Sequence, residues 1–159
     1  MKEILLSQGK VAIVDDNDFE GLSLYKWYCN DKGYAVRNIP AVQGKRSAMK
    51  MHIQIMGAVD GLEIDHISGN KLDNRRENLR HVTRVQNQQN QKPQKRATSS
   101  EYKGVSWHKN QKQWHARISV GGETIYLGGY DSETDAALAY NKAATQMFGA
   151  YARLNVFSD

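Results

Sequence analysis

The clearest pattern of hydrophobic and polar positions lies in residues 101–130, where apolar and polar side chains alternate along three segments. Alternation with a period of two, in segments rich in β-branched and aromatic residues, predicts β-strands. The three segments read EYKGVSWHK, QWHARISV and ETIYLGGY, and Gly121-Gly122 provides a tight connection between the second and the third. We therefore predict a three-stranded antiparallel meander.

The alternation gives this predicted sheet two different faces. The apolar face comprises Val105, Ala116, Ile118, Val120, Ile125 and Leu127, with Trp114 at its edge. The opposite face carries polar, aromatic and basic side chains: Ser106, His108, His115, Arg117, Ser119, Thr124 and Tyr126. Such a sheet packs one face on a core and leaves the other face to solvent or to a ligand.

A helix is predicted directly after the sheet, in the segment SETDAALAYNKAATQMFG. Ser132 is a suitable N-cap, Asp135 completes a capping-box pattern, and Gly149 stands where a C-cap is expected. The core stripe of this helix consists of Ala136, Tyr140, Ala143 and Met147, with Ala137, Ala144 and Phe148 beside it. With the helix on the apolar face, the polar face would point outward, where three strands fit the groove of a DNA duplex. An ordinary half-solvated sheet is the alternative interpretation.

Residues 1–50 contain shorter segments of similar character. The predicted strands are KVAIVD, KWYCN and YAVRNI, the turn DKG separates the last two, and DFEGLSLY is a short helix that begins at Asp18. No constellation of reactive residues occurs here, so we interpret this part as a scaffold for the next module. The basic residues of this part that could touch a phosphate backbone are Arg37, Lys45, Arg46 and Lys50.

The stretch EIDHISGNKLDNRRENLRHVTRVQNQQN, residues 63–90, has few apolar positions and many asparagines and arginines. One strand is predicted in GLEIDH and another in LRHV, and Thr83 with Gln86 forms a capping box at the start of the helix RVQNQQNQ. The predicted order is strand, loop, strand and helix, with Asn87 one turn inside the helix. Packing alone does not account for so polar a segment, which indicates a chemical role.

Residues 91–100, QKPQKRATSS, are polar and basic and contain a proline, which is typical of a linker. The chain is therefore predicted to have an α+β fold with one module on each side of this linker. The first module, residues 1–90, has a β-rich scaffold over 1–51 and a ββα unit over 52–90. The second module, residues 101–159, consists of the three-stranded sheet packed on one helix.

Composition excludes several classes of protein. The single cysteine, Cys29, rules out an intramolecular disulfide framework and a four-thiolate zinc site, and it favours a reducing cytoplasm. No apolar run approaches the roughly 20 residues of a membrane span, and the amino-terminal stretch turns acidic too early for a signal peptide. We therefore expect a cytoplasmic protein that does not interact with a membrane.

The distribution of charge gives the polar segments a further meaning. The formal net charge is +5, and residues 71–117 carry twelve Lys/Arg against three acids, whereas residues 121–159 carry two basic residues against five acids. A concentrated positive region is typical of a surface that binds a polyanion, because Lys and Arg release counterions from phosphates. A solvated basic surface is the other interpretation.

Candidate chemistry is concentrated in residues 63–90. If the predicted helix packs across the hairpin, the Asp65 carboxylate and the Asn87 amide oxygen meet at one point, and such oxygen donors suit Mg²⁺ or Mn²⁺. His66, adjacent in sequence to this ligand, is suited to take a proton from an attacking water. Asn78 has donors and an acceptor that can fix the loop and the orientation of the imidazole. An EF-hand calcium loop is excluded because its required oxygen ligands are missing.

Residues 52–90 resemble the HNH endonuclease motif of the ββα-metal kind, through DH, ENLR and QNQQN at matching positions. The resemblance implies that His66 is the general base and that Asn78 is the structural asparagine. It also implies that Asp65 and Asn87 are the metal ligands. Related chains commonly have an arginine after the histidine of the MH segment, where this chain has isoleucine, so one backbone contact is expected to be missing.

Residues 101–157 resemble the Apetala/ethylene-response DNA-binding domain, through YKGVSWHK, WHARI, YLGGYDSETDAALAYNKAA and FGAYARLN. Plant members of that family read GC-rich sites with several arginines and tryptophans on the sheet. The corresponding places here hold Ser106, His108, Ser119, Thr124 and Tyr126, so the target sequence is not carried over. The whole chain looks like a phage or mobile-element HNH homing-type endonuclease that carries this domain.

These features predict a metal-dependent DNA endonuclease that hydrolyses a phosphodiester with a histidine base and one divalent ion, Mg²⁺ or Mn²⁺. The residues expected to bind DNA are Arg75, Arg76, Arg80, Arg84, Lys95, Arg96, Lys103, Ser106, His108, Lys109, Arg117, Ser119, Thr124 and Tyr126. The alternative is a sequence-specific DNA-binding regulator in which the HNH fold survives only as a scaffold. Two other histidines are left out of the catalytic set: His52 is expected to pack beside the hairpin, and His81 to lie at the surface or on a phosphate.

The expected partner is double-stranded DNA, in the cytoplasm of a bacterial or phage-infected host cell. A single HNH site cuts one strand in each engagement, so a double-strand break would need a dimer or two successive events. We expect a monomer on DNA in preference to an obligate dimer.

Overall fold

The computed structural model describes residues 1–42, 45–91 and 99–157 of the chain. Helices are mixed with strands that form several small sheets, which confirms at this coarse level that the protein combines α and β structure. Most of the predicted linker, residues 92–98, lies outside the described residues. Within the described ranges, no helix is long and apolar enough to cross a membrane.

The chain divides into two compact units, Met1–Asn87 and Gln88–Asp159. The elements that begin in the first unit are, in chain order, β1 (Lys2–Leu5), β2 (Val11–Val14), α1 (Asp16–Ser23), β3 (Tyr28–Cys29), β4 (Ala35–Val42), β5 (Lys45–Lys50), α2 (Met51–Met56), β6 (Glu63–His66), a 3₁₀ helix (Arg76–Asn78), β7 (Leu79–Val82) and α3 (Arg84–Asn90). They form three antiparallel sheets, β1-β2, β3-β4-β5 and β6-β7.

The core of the first unit includes Trp27, which is 1% exposed. Its indole Nε1 donates a hydrogen bond to the carbonyl oxygen of Leu22, 2.8 Å away, so the one polar atom of the ring is satisfied. The other buried members of this cluster are Ile4, Leu6, Ala12, Val14, Leu22, Ala35, Met51, Ile55 and Leu79. Because the last of these belongs to β7, the same core holds the amino-terminal scaffold and the β6-β7 hairpin together.

Four elements of the first unit are absent from the sequence prediction, namely β1, β5, α2 and the 3₁₀ helix. The β5 segment, KRSAMK, shows no apolar alternation, and its backbone is extended because it pairs with β4. Pairing with a neighbour decides strand formation more than the intrinsic preference of the residues does. In addition, α1 begins at Asp16 instead of Asp18, and the amino group of Met1 lies 2.9 Å from the Asp16 carboxylate at this helix start.

The β6-β7 hairpin pairs Asp65 with Arg80 and His66 with Leu79. Successive side chains of a strand point to opposite faces of a sheet. Asp65 and His66 leave β6 on different faces at the very end of the strand, and the carboxylate remains close enough to act on the pKa of the imidazole.

The predicted capping box at the start of α3 is confirmed. The backbone N–H of Thr83 donates to Oε1 of Gln86 at 2.9 Å, and the backbone N–H of Gln86 donates to Oγ1 of Thr83 at 3.3 Å. The helix therefore begins directly after β7, which places its first turn beside the hairpin.

The loop between β6 and β7 is attached to β2 of the scaffold. The backbone N–H of Ile13 donates to the carbonyl oxygen of Leu72 at 2.8 Å, and the backbone N–H of Asn74 donates to the carbonyl oxygen of Ile13 at 2.8 Å. These two bonds hold the loop in a fixed position along one edge of the strand.

The second unit contains β8 (Val105–His108), β9 (Gln113–Val120), β10 (Glu123–Tyr130), α4 (Glu133–Phe148) and a 3₁₀ helix (Gly149–Tyr151). The strands form one antiparallel sheet in the order β10-β9-β8. Gly121 and Gly122 connect β9 to β10 with φ values of 62° and 91°, a conformation that favours glycine. At the start of α4 the Ser132 hydroxyl accepts from the backbone N–H groups of Thr134 and Asp135, at 3.2 and 3.4 Å.

The apolar face of this sheet packs against α4, but not all of its predicted members are buried. The buried residues shared by sheet and helix are Val105, Ala116, Ile118, Ala136, Ala137, Tyr140, Ala143, Ala144 and Phe148. Val120 and Ile125 are 37% and 39% exposed, because they lie beside the Gly121-Gly122 connection at the end of the hairpin. Met147 is 45% exposed, since no described residue of the second unit covers that side of the last turn of α4. The predicted core assignment of these three residues is wrong.

Candidate functional site

His66 ends β6 and is 4% exposed. Two other rings enclose its imidazole. The ring centroid of His52 lies 4.9 Å away in an edge-to-face arrangement, and that of Tyr34 lies 5.9 Å away. His52 comes from α2 and Tyr34 directly precedes β4, so three parts of the first unit build this pocket of aromatic rings. The sequence prediction of a histidine packed beside the hairpin agrees with the place of His52.

Asn74 sets the tautomer of His66. Nε2 of the imidazole lies 3.3 Å from Oδ1 of Asn74, and Nδ2 of the same amide donates to the carbonyl oxygen of Leu72 at 3.2 Å. An amide oxygen can only accept a hydrogen bond, so the imidazole carries its hydrogen on Nε2. The lone pair of the neutral ring is then on Nδ1. Asn74 itself is fully buried, at 0% exposed, and sequence reasoning missed it because no spacing distinguishes it among the neighbouring asparagines.

The environment of His66 keeps its imidazole neutral. Burial lowers the pKa of His66 from its usual value, while the hydrogen bond to Asn74 and the carboxylates of Asp65 and Asp73 act in the opposite direction. A neutral imidazole can accept a proton, which is the property that a general base requires.

Asn78 closes the loop between the two strands. Its Nδ2 donates to the carbonyl oxygen of Asp73 at 2.7 Å, and its Oδ1 accepts from the backbone N–H of Ser68 at 2.9 Å. The side chain is buried, and these contacts tie the beginning of the loop to its end. The other role expected of Asn78, orientation of the imidazole, falls to Asn74.

Asp65 is 7% exposed and pairs with the arginine directly opposite on β7. Nε and Nη2 of Arg80 both donate to Oδ2 of Asp65, at 3.0 and 2.9 Å. A buried pair of this kind fixes the orientation of the carboxylate and partly neutralises it. Arg80, expected from the sequence to contact DNA, is thus a partner of the candidate metal ligand.

Asn87 lies in α3 on the same side of the hairpin as Asp65. Its Nδ2 donates to Oε2 of Glu63, and Glu63 and Asp65 are two residues apart on one strand, so their side chains share a face. The hydrogen bond uses the amide donor, and the amide oxygen of Asn87 makes no hydrogen bond with the described residues. The oxygen atoms on this face have the chemistry that hard divalent cations select. Three or more His, Cys, Asp or Glu side chains grouped for metal binding do not occur in the described part of the chain.

The remaining predicted DNA-binding arginines of the first unit have different surroundings. Arg75 donates from Nε and Nη2 to the two carboxylate oxygens of Asp73, at 2.8 and 2.7 Å, and also pairs with Glu77. Arg76 makes the same two-pronged contact with Asp18, at 2.9 and 2.7 Å. Arg84 is exposed and makes no ion pair with the described residues. Lys95 and Arg96 lie outside the described residues.

The outer face of the β8-β9-β10 sheet carries most of the residues expected to contact DNA in the second unit. Arg117 and Tyr126 are cross-strand partners and both are exposed, and the hydroxyls of Ser119 and Thr124 lie 3.2 Å apart. Ser106 is half-buried and Lys109 is exposed. This face therefore offers one arginine and several hydroxyl groups to a ligand.

Two histidines on the same face stack on each other. The rings of His108 and His115 are 4.4 Å apart and nearly parallel, at 8°, and Tyr126 packs edge-on against His115. His115 is only 4% exposed for this reason, although its position in the alternation predicts an outward side chain.

Lys103 has a structural contact that the sequence does not indicate. Its Nζ donates to the carbonyl oxygens of Gln89 and Gln91, the latter at 2.8 Å. Burial lowers the pKa of Lys103 to about 8, with a smaller contribution from the positive charge of Arg153. The ammonium group thus stabilises the backbone around the end of α3, within the second unit.

Comparisons with protein families match both parts of the chain. A model of the HNH endonuclease family matches residues 53–89, and a model of the AP2 domain matches residues 100–150. The first segment contains the β6-β7 hairpin with all of α3 except its last residue, and the second contains the three-stranded sheet with α4.

Curated proteins show the same two similarities. An uncharacterized HNH endonuclease of Acanthamoeba polyphaga mimivirus is 33% identical over 154 residues, which covers 95% of this chain and 79% of the relative. Protein 3.8 of Escherichia phage T7 is 32% identical over 111 residues, 67% of this chain and 90% of the phage protein. The AP2-like ethylene-responsive transcription factor TOE2 of Arabidopsis thaliana is 38% identical over 60 residues, which is 38% of this chain but only 12% of the plant protein.

Among solved structures, one titled DNA binding and cleavage by the HNH homing endonuclease I-HmuI matches 37% of this chain and 36% of its own, with 31% identity. Its TM-score of 0.31 is too low to indicate a shared overall fold.

Proposed function

Because the chain belongs to the HNH endonuclease family and carries an AP2 domain, we propose that it is a metal-dependent endonuclease of double-stranded DNA. In this proposal His66 is the general base, and Asp65 and Asn87 bind one divalent ion. Asn78 has the structural role of joining the ends of the loop. The observation that carries the proposal is the buried imidazole of His66, held in one tautomer by Asn74 at the end of the strand that also bears Asp65.

The proton acceptor is Nδ1 of His66. With the hydrogen on Nε2 engaged by Asn74, the lone pair on Nδ1 takes a proton from the water that attacks the phosphorus atom. The ring becomes positively charged in this step, and the Asn74 oxygen together with the carboxylates of Asp65 and Asp73 stabilises that charge.

The oxygen atoms on the Asp65 side of the hairpin fit a divalent cation. HNH nucleases generally use such an ion, and the carboxylate and amide donors favour Mg²⁺ or Mn²⁺ over Zn²⁺. When bound, the ion supplies positive charge next to the scissile phosphate and the leaving oxygen. Arg80 keeps the Asp65 carboxylate in a single orientation. Glu63 accepts a hydrogen bond from Nδ2 of Asn87, so the amide oxygen of Asn87 points away from Glu63.

The AP2 domain would direct the protein to its site on DNA. The outer face of its sheet presents Arg117, Tyr126 and hydroxyl groups, which are suited to the backbone and base edges of a major groove. We propose that a single chain binds the duplex and cuts one strand in each engagement, because the described residues contain one such hairpin site.

A plasmid-nicking assay tests this proposal. Supercoiled DNA from the locus that encodes the protein is incubated with Mg²⁺ or with EDTA, and the cut ends are mapped. We expect nicking with Mg²⁺ only, and we expect His66→Ala to lower the rate by a factor of about 10² or more without changing DNA affinity. His81→Ala is the matched control, since this second histidine of the hairpin contacts the carbonyl oxygen of Gly57 and not the proposed site. Unchanged nicking by His66→Ala would remove the assignment of the base.

A second candidate function is a DNA-binding regulator without nuclease activity. It is favoured by the contact that engages one proposed metal ligand, the two hydrogen bonds from Arg80 to Oδ2 of Asp65. This candidate predicts tight and selective DNA binding without DNA cleavage in the presence of Mg²⁺ or Mn²⁺. The nicking assay therefore separates the two functions.

A further inference from the structure

A cavity with a volume of about 360 Å³ lies in the first unit, lined by Ser7, Tyr25, Lys26, Tyr28, Arg37 and Asn38. None of these residues belongs to the β6-β7 hairpin or to α3. The lining contains two cations, two aromatic rings and no carboxylate. Pockets for small ligands begin at roughly 300 Å³, so the space suits a ligand the size of a nucleotide.

Arg37 is held in position by the protein while its terminal nitrogens remain available. Its guanidinium carbon lies 3.9 Å from the centre of the Tyr25 ring and 5.8 Å from the centre of the Trp27 ring. Nε donates to Oε1 of Gln54 at 2.8 Å, and no other hydrogen bond of this side chain occurs in the described residues. A guanidinium that is already oriented loses little entropy when it binds a phosphate.

Asn38 and Lys26 add further donors to the cavity. The Tyr28 hydroxyl donates to Oδ1 of Asn38 at 3.1 Å, which leaves the Nδ2 hydrogens of that amide available. Lys26 is exposed and forms no ion pair with the described residues. An assembly of donors without an acceptor carboxylate selects an anion, and the rings of Tyr25 and Tyr28 add flat surfaces on which a sugar or a base can pack.

The contrast with the arginines near the hairpin makes this cavity distinctive. Arg75, Arg76 and Arg80 each donate twice to a carboxylate of the first unit. Arg37 and Lys26 have no such partner in the part of the chain that the structure describes. Their positive charge is therefore available to a ligand, whereas that of the three hairpin arginines is largely compensated.

We propose that this cavity binds one nucleotide of the DNA substrate, with its phosphate at Lys26 and Arg37 and its sugar and base against Tyr25 and Tyr28. The inference rests on the proposed function, for which DNA is the substrate. It assigns a DNA contact to the amino-terminal scaffold, separate from the hairpin and from the sheet of the AP2 domain. A free nucleotide has the same chemistry as one unit of DNA, so the experiment includes both.

The experiment measures DNA affinity with the full-length His66→Ala chain in EDTA, by fluorescence anisotropy of a labelled duplex across a range of salt concentrations. Lys26→Gln and Arg37→Gln are compared with Lys2→Gln, which removes the same charge from an exposed lysine that does not line the cavity. We expect each cavity variant to bind about tenfold more weakly and to lower the slope of log K against log salt by about 0.9, the value for one phosphate contact. Lys2→Gln should bind like the parent chain.

Arg37→Lys separates charge from orientation. It should retain the salt slope but recover only part of the affinity, because lysine cannot reproduce the flat, stacked guanidinium. Thermal unfolding is measured for every variant. If a change at Arg37 lowers stability, the Lys26→Gln variant still tests the proposal, because Lys26 is exposed.

A free deoxynucleoside monophosphate is titrated against the same proteins in a parallel arm. Equal DNA affinity and equal salt slope in the parent chain, Lys26→Gln and Arg37→Gln would overturn the inference, whether or not the monophosphate binds. If the parent chain binds no DNA at all, the proposed function itself fails. These outcomes are distinguishable, because the first leaves duplex binding intact.

Discussion

The most consequential residue outside the predicted catalytic set is Asn74. Asp65, His66, Asn78 and Asn87 follow from their residue types and from their order in the hairpin. Asn74 does not, since one asparagine in NKLDNRREN looks like another until the loop is folded against β2. Its role depends on a backbone bond to Ile13, a contact between parts of the chain far apart in sequence. Local patterns cannot supply that information.

Replacement of Asn74 tests whether it controls the imidazole. Asn74→Ala leaves the Nε2 hydrogen of His66 buried without this acceptor, so the ring can adopt the other tautomer. We expect the single-turnover nicking rate to fall by about 10- to 100-fold, as for other residues that orient a catalytic group. DNA affinity in EDTA should not change.

Asn74→Asp is the conservative comparison, because it restores an acceptor at the same atom. It should recover more of the rate than alanine does, and the folded fraction of both variants is checked by thermal unfolding. A rate in Asn74→Ala equal to that of the parent chain would show that the tautomer is set by another group.

His52 predicts a dependence of stability on pH. Burial lowers the pKa of His52 from 6.5 to about 3, with smaller contributions from His66 once that ring is protonated and from the charge of Lys50. The unfolded chain therefore binds a proton below pH 6.5 that the folded chain excludes. The contribution of neutral His52 to the free energy of unfolding is complete above pH 6.5. It is lost as the pH falls from 6.5 toward 3, by up to about 1.4 kcal/mol for each pH unit.

Urea unfolding at pH 7 and pH 5 measures this effect. His52→Phe keeps a flat ring against His66 and Tyr34 but cannot be protonated, so its free energy of unfolding should fall less between the two pH values. The neighbouring buried His66 retains its own contribution, and part of the dependence should remain. Parallel losses in the parent chain and the variant would contradict the assignment to His52.

At the scale of elements, the sequence predicts those that have a strong local signal. The structure confirms the capping box at Thr83, the N-cap at Ser132 and the glycine pair between β9 and β10. The sequence does not predict β1 and β5, because these strands form by pairing with β2 and β4 and show no clear alternation of their own. Val120 and Ile125 are exposed for a related reason. Periodicity predicts the face on which a side chain lies, but it does not predict how far the covering helix extends over that face.

The start of α3 is a place where local structure supports the site. Thr83→Ala removes the hydroxyl that accepts from the Gln86 N–H and should lower the free energy of unfolding by about 1 kcal/mol. The change should also loosen the first turn, and thus the position of Asn87. Urea unfolding measures the first effect, and Mn²⁺ titration by calorimetry measures the second.

Thr83→Ser is the matched control for this helix start. It keeps an accepting hydroxyl, so its stability and its Mn²⁺ affinity should resemble those of the parent chain. Full stability in Thr83→Ala would mean that the capping contact contributes nothing to the helix.

For the whole molecule, the proposed function assigns DNA cleavage to the part matched by the HNH model and DNA binding to the part matched by the AP2 model. Arg117→Gln with Tyr126→Ala removes the cation and the exposed ring from the outer face of the AP2 sheet. We expect DNA affinity to fall by about tenfold or more, since one base or phosphate contact contributes about 1–3 kcal/mol. The nicking rate at saturating protein should stay the same, because the hairpin is unaltered.

Lys142→Gln is the control for this pair, as it removes a positive charge from the exposed surface of α4 instead of the sheet. Filter binding and single-turnover nicking are measured for both proteins. A reduced nicking rate at saturation, with affinity intact, would assign the sheet a role in catalysis and not in binding.

The bonds between Ile13 and the hairpin loop bear on how the proposed nuclease could be transferred to another protein. A fragment limited to residues 52–90 would contain every residue of the family signature, yet it would lack the strand that anchors Asn74. The smallest fragment that could be transferred therefore has to begin before β2. The hydrogen bonds of Ile13, and not the length of the motif, decide which residues it needs. Substitutions in residues 1–15 are accordingly expected to impair cleavage as well as folding.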